Sequence, residues 1–108
     1  MPRRGEIWWV RLDPTLGSEI TKARPCLILS SDVLNQRRGT IVVVPLASSP
    51  QSSPPLLVPI QCGSRDVVAV TDQIRAVSKE RLDRCIGTLP AEHLEAVEQA
   101  VREVLELP

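Results

Sequence analysis

The chain contains no phenylalanine and no tyrosine, a single histidine and only two tryptophans among its 108 residues. Its core must therefore be built almost wholly from Val, Leu and Ile, which suits a β-rich interior. The lone His93 excludes a two-histidine acid–base pair and any Ser-His-Asp triad, and it leaves the cysteines without a partner base. It falls among glutamates in a helical stretch, beside the apolar stripe, and reads as a solvated residue. The three cysteines, Cys26, Cys62 and Cys85, stand too far apart for a zinc knuckle or a CxxC redox pair, so no metal site and no cofactor is expected. Cys26 and Cys85 read as small core filler. Their odd count, without a signal sequence, points to a reducing cytoplasm. No run of 18 apolar residues occurs, so no membrane span is expected. Neither G-x-x-x-x-G-K-[ST] nor G-x-G-x-x-G is present, which removes the common phosphate-cradling loops.

What is present is one domain's worth of chain, residues 1–108, with a net charge of zero that is unevenly spread. From Pro90 onward stand five glutamates and one arginine, a balance of −4, so the preceding residues carry +4 and leave room for a basic surface. Met1 to Arg4 reads as a short basic arm. Gly5 to Leu12 reads as a strand whose alternation places Ile7, Trp9 and Arg11 on one face and Trp8, Val10 and Leu12 on the other. Two adjacent tryptophans must then point opposite ways. One suits the core, and the other suits an interface or a stacked base.

Further strands are expected at Cys26–Ser30, Thr40–Leu46, Leu56–Ile60, Val67–Thr71 and Arg84–Thr88. The continuous apolar run of the third indicates burial on both faces, with Pro45 near the end of regular pairing. Gln61 to Asp66 reads as a turn, and Ala47 to Pro55 as an exposed Ser/Pro-rich connection. Ser31 or Asp32 can cap a helical turn, and Ser78 another. Pro90, the early acids, and the stripe of Leu94, Val97, Val101, Val104 and Leu105 mark a terminal helix. The fold class is mainly β with a small helical part: a bent antiparallel barrel or sandwich carrying a C-terminal helix.

The chemistry centres on Lys22-Ala23-Arg24-Pro25, where a ten-residue loop, Asp13 to Lys22, runs into an apolar strand. Pro25 holds Arg24 extended. A guanidinium fixed at a strand mouth presents a planar fork suited to phosphate. Alternatively, Arg24 is a surface cation paired with Glu19 or Asp72. Ser18, Thr21, Ser48, Ser49, Asp72, Gln73 and Arg75 also fall where strands meet loops. Phosphoryl chemistry needs charge stabilisation more than covalent help, and RNA brings its own 2′-OH nucleophile, so arginines and hydroxyls can suffice.

Arg4-Gly5-Glu6-Ile7-Trp8-Trp9-Val10, Leu12-Asp13-Pro14, Gly17-Ser18-Glu19, Arg24-Pro25-Cys26-Leu27-Ile28-Leu29, Val44-Pro45-Leu46 and Asp72-Gln73-Ile74-Arg75-Ala76-Val77 together resemble the MazF/PemK toxins of bacterial toxin–antitoxin modules. The match runs in order along nearly the whole chain. The resemblance implies an SH3-like, plasmid-toxin barrel working as a homodimer. It also implies a metal-independent endoribonuclease that cuts single-stranded RNA at short sequences, leaves a 2′,3′-cyclic phosphate and a 5′-hydroxyl, and is neutralised by a cognate antitoxin protein. Arg24 matches the family's catalytic arginine, Glu19 matches the acid of its Gly-Ser-Glu loop and is a candidate catalytic residue beside it, and that loop matches a lid over RNA. Gly17, Ser18, Thr21, Lys22, Ala47, Ser49, Asp72, Gln73 and Arg75 are the expected substrate-binding positions. The family usually has threonine directly after the Pro-Leu pair, where this chain has Ala47. Ser48 is then the candidate catalytic hydroxyl, with Ser49 the other choice, although regular β geometry turns Ser48 to the opposite face. The alternative is a weakened or inactive protein of the same fold that binds RNA or an antitoxin.

Overall fold

The computed structural model describes residues 1–12, 16–19, 22–48 and 51–108. Seven strands form one curled antiparallel sheet: β1 Glu6–Arg11, β2 Ala23–Ile28, β3 Thr40–Ala47, β4 Leu57–Cys62, β5 Arg65–Val70, β6 Arg75–Ser78 and β7 Leu82–Thr88. Their order is β4-β5-β3-β2-β1-β7, and β6 pairs separately with β3. The result is a half-barrel with β3 at its middle. The first half of β3 pairs with β6 (Ile41 with Val77, Val43 with Arg75), and its end pairs with β5 (Leu46 with Ala69, Ala47 with Val68). Pairing therefore continues two residues beyond Pro45 rather than stopping there.

Alternation along the strands sorts apolar side chains into two clusters, one on each face. One holds Ile7, Leu27, Val44, Leu46, Ile60 and Val67 under the terminal helix α2 (Ala91–Leu105), which adds Val97, Ala100 and Val101. The other holds Val10, Leu12, Cys26, Ile28, Ile41, Val43 and Val77, with Trp8 packed against it. Burying an aliphatic side chain of this size contributes about 1.5–3 kcal/mol. The fully buried Ile7, Leu27 and Val97 thus fix helix to sheet. Leu105, expected in the stripe, is exposed, because the helix ends there and Glu106 turns into the left-handed region at φ 55°.

The short helix α1 (Asp32–Arg37) is capped by Ser31, whose hydroxyl accepts from the Leu34 amide. Beneath it the buried Asn35 amide donates to the Ser30 carbonyl at 3.0 Å, and the Ser30 hydroxyl accepts from Val42 N at 3.0 Å, so these buried polar groups are satisfied. The N-terminal residues are no free arm. Arg4 donates to the Leu29 carbonyl at 3.1 Å and to Glu98 of α2 at 2.6 Å. His93 also departs from expectation. It is half-buried, and its Nδ1 accepts from Gln61 N at 3.3 Å, tying α2 to β4.

Candidate functional site

The cluster beneath α2 extends beyond the helix into an open groove of about 380 Å³. Five strands pass from core to groove within two residues, because positions i and i+2 share a face. Ile7 is followed by Trp9 on β1, Leu27 is preceded by Pro25 on β2, and Leu46 is followed by Ser48 at the end of β3. Ile60 is followed by Cys62 on β4, and Val67 is preceded by Arg65 on β5. β7 adds Arg84 and Ile86. Arg24 and Ala47, from the ends of β2 and β3, complete the wall. The groove thus has an apolar floor and three arginines, from β2, β5 and β7.

Arg65 and Arg84 are held in place by contacts within the groove. Arg65 Nη2 donates to Ser48 Oγ at 3.4 Å, which brings the Ser48 hydroxyl to the site. The Arg84 guanidinium carbon lies 5.7 Å from the centre of the Trp9 ring, within the range of a cation–π contact. Trp8, on the other face, donates from its indole nitrogen to Glu6 Oε1 at 3.0 Å. One tryptophan therefore serves the core and its neighbour serves the groove.

Of the positions singled out from sequence, Arg24, Ala47 and Ser48 line this groove together. β2 begins at Ala23, three residues earlier than expected, so Arg24 lies inside the strand and its backbone is fixed by pairing with Val10. Glu19, Gly17 and Ser18 are exposed in the loop ahead of β2. Glu19 accepts from Leu16 N at 3.0 Å, and its other oxygen lies 3.9 Å from Arg75 Nη1. That contact links the loop to β6. Arg75 is half-buried beside Val43, Gln73 is half-buried and Asp72 is exposed in a 3₁₀ turn, Thr71–Gln73; none of the three lines the groove. Lys22 lines a separate depression. Thr21 and Ser49 lie outside the described residues.

Sequence reading did not single out Arg65 and Arg84 as site residues. The six residues read as a turn, Gln61 to Asp66, are in fact a two-residue reversal at Gly63-Ser64 with Cys62 paired to Arg65. Gly63, at φ 65°, supplies the left-handed conformation that so tight a turn needs. Its period of two, carried back from Val67, was the signal that could have located Arg65.

Cys26 is no nucleophile. Burial pushes its thiol up to about 12, outweighing the nearby guanidiniums of Arg75 and Arg24, which pull the other way. Among the described residues no group of three His, Cys, Asp or Glu side chains could hold a metal ion. Among the described residues no helix is long and apolar enough to cross a membrane.

Known proteins are similar to this chain in sequence and in fold. An endoribonuclease MazF9 of Mycobacterium tuberculosis is 38% identical over 116 residues, covering 99% of this chain and 98% of that protein. Endoribonuclease EndoA of Bacillus subtilis is 31% identical over 110 residues, covering 97% and 95%. In three dimensions, MazF from Deinococcus radiodurans superposes with a TM-score of 0.87 at 24% identity, covering 97% of this chain and 96% of that one. A mycobacterial endoribonuclease solved in complex with its cognate antitoxin gives 0.83 at 23% identity, covering 100% and 98%. Residues 3–105 match the PemK-like, MazF-like toxins of type II toxin–antitoxin systems, and the chain belongs to that family.

Proposed function

We infer that the protein is an endoribonuclease toxin that cleaves single-stranded RNA in the Arg24 groove and is neutralised by a cognate antitoxin. The observation that carries this reading is the convergence of Arg24, Arg65 and Arg84 with Ser48 and Trp9 on one open groove. The substrate's 2′ oxygen attacks the adjacent phosphorus and loses its proton. The bond from phosphorus to the 5′ oxygen breaks, and that oxygen takes up a proton. The products are a 2′,3′-cyclic phosphate and a 5′-hydroxyl. Arg24 stabilises the charge that builds on the phosphorane oxygens, where a fixed guanidinium is worth most. Arg65 and Arg84 hold flanking phosphates, and the Trp9 ring offers a stacking surface for a base. Glu19, through Arg75, holds the loop ahead of β2 in register with the site.

The same reading makes the protein a cytoplasmic homodimer. An acidic antitoxin segment would compete with RNA for the groove, in an interaction that weakens steeply with salt. Ala47 favours one alternative, a protein that binds RNA or antitoxin and cuts poorly. Incubating the purified protein with a long single-stranded RNA, with and without EDTA, tests the proposal. Fragments with 5′-hydroxyl ends should appear in both. Intact RNA in both, for the wild type and for Ala47→Thr alike, would leave only the binding alternative.

A further inference from the structure

A second depression, of about 540 Å³, lies at the Arg11 end of the β1–β2 pair and is lined by Arg11, Lys22, Ala23, Ser78, Glu80 and Arg81. Among the described residues it sets three cationic side chains against one carboxylate, that of Glu80. Arg11 Nη2 donates to the Glu80 carbonyl at 2.5 Å, and Arg81 Nη1 donates to the Arg11 carbonyl at 3.2 Å. Each bond fixes the plane of a guanidinium, so less freedom is lost when further donors bind an anion. Lys22 is held in the left-handed region at φ 65°, its carbonyl accepting from Leu12 N at 2.9 Å. Among the described residues neither Arg11 nor Lys22 is in an ion pair. Ala23 lines both this depression and the Arg24 groove, so the two adjoin there.

We propose that this depression is a second phosphate subsite, which takes the backbone of the same RNA strand as it leaves the groove. The inference rests on the RNA reading above and adds the path of the strand. A polymer charged at every nucleotide needs cations spaced along its course, and the two cavities supply them on either side of Ala23. An acidic polypeptide fits less well, because among the described residues lining the depression Ala23 alone is apolar, and these residues form no pocket for an anchoring side chain.

The test is anisotropy binding of labelled, uncleavable 2′-O-methyl RNA, four and twelve nucleotides long and of mixed sequence. Arg11→Gln with Arg81→Gln should weaken the 12-mer about 10-fold and lower its salt slope by about 1.4, as for two single-strand phosphate contacts, with the 4-mer unchanged. Arg11→Lys with Arg81→Lys should keep most of the affinity. Glu80→Gln, which removes the opposing carboxylate, should tighten the 12-mer about 2-fold, an outcome that needs no destabilised variant. Unchanged 12-mer affinity and slope in both the glutamine pair and Glu80→Gln would overturn the subsite. So would an equal loss on both oligonucleotides, or a loss confined to a polyglutamate peptide. A wild-type protein that binds neither RNA would instead bring down the RNA reading itself.

Discussion

The two ends of the face beneath α2 are built from the same strands and differ in almost everything else. At one end Ile7, Leu27 and Leu46 are fully buried against Val97 and Val101. Two residues along, at the other end, Trp9, Pro25 and Ser48 open to solvent beside Arg65 and Arg84. The helix covers only the first end. The pleat forces positions i and i+2 to one face, so the covered core serves as the rigid mount for the groove. Arginines at the open end keep their charge in water, whereas the same residues under the helix would incur a large desolvation cost. On the reading proposed above, stability and function are separable along each strand, at a spacing of two residues.

The largest effect that would sharpen this contrast is at Arg24. Arg24→Ala should abolish cleavage while shifting the unfolding free energy by no more than about 1 kcal/mol, as expected of a half-exposed functional cation. Arg24→Lys should restore little, since an ammonium does not reproduce the planar fork. Full cleavage by the alanine variant would remove the groove from the chemistry.

Next comes the hydroxyl. Ala47→Thr should raise the cleavage rate by roughly 10²–10³ if the side chain at this position is missing one donor to the transition state. If the Ser48 hydroxyl, held by Arg65, already serves, Ala47→Thr should change little and Ser48→Ala should lower the rate by that same factor. Single-turnover kinetics on one RNA separates the two cases.

At the covered end the effects should move to stability. Leu27→Ala should cost about 2–5 kcal/mol in urea titration, as a large-to-small change in a packed core, with cleavage per folded molecule retained. A loss of activity without a loss of stability there would break the separation of the two ends.

The fourth prediction concerns pH. Burial raises the folded pKa of Cys26 above its ordinary value of 9.0, to about 12, so the unfolded chain loses this proton first. Stability is then fully present below pH 9 and should fall by up to about 1.4 kcal/mol per pH unit above it, toward pH 12. Cys26→Ala should flatten that decline in thermal melts. The smallest effect belongs to the rim: Arg84→Gln should weaken RNA binding through the lost charge, while its contact with Trp9 contributes only about 0.5–1 kcal/mol to the fold.

Local chemistry made much of this molecule legible. Alternation separated Trp8 from Trp9, the apolar run of Thr40–Leu46 marked the central strand, Ser31 or Asp32 and then Ser78 marked the caps, and the stripe through Val97 and Val101 marked the helix. These signals lie within a few residues of one another and act through backbone geometry alone. Arg24 and Ser48 were likewise legible, because they stand where the expected strands meet loops, whereas Ala47 was singled out only through the family resemblance. Which other cations join them was a tertiary matter. Arg65 reaches Ser48 across seventeen residues of sequence, and Arg84 reaches Trp9 across seventy-five, through pairings set by sheet curvature. Arg75 and Glu19 look like site residues in sequence, yet β6 pairs with the far half of β3 and carries Arg75 away from the groove lining. Periodicity tells a residue which face it shares. Only the closure of β3 between β2, β5 and β6 decides which arginines stand together and which patch of that face the helix leaves open.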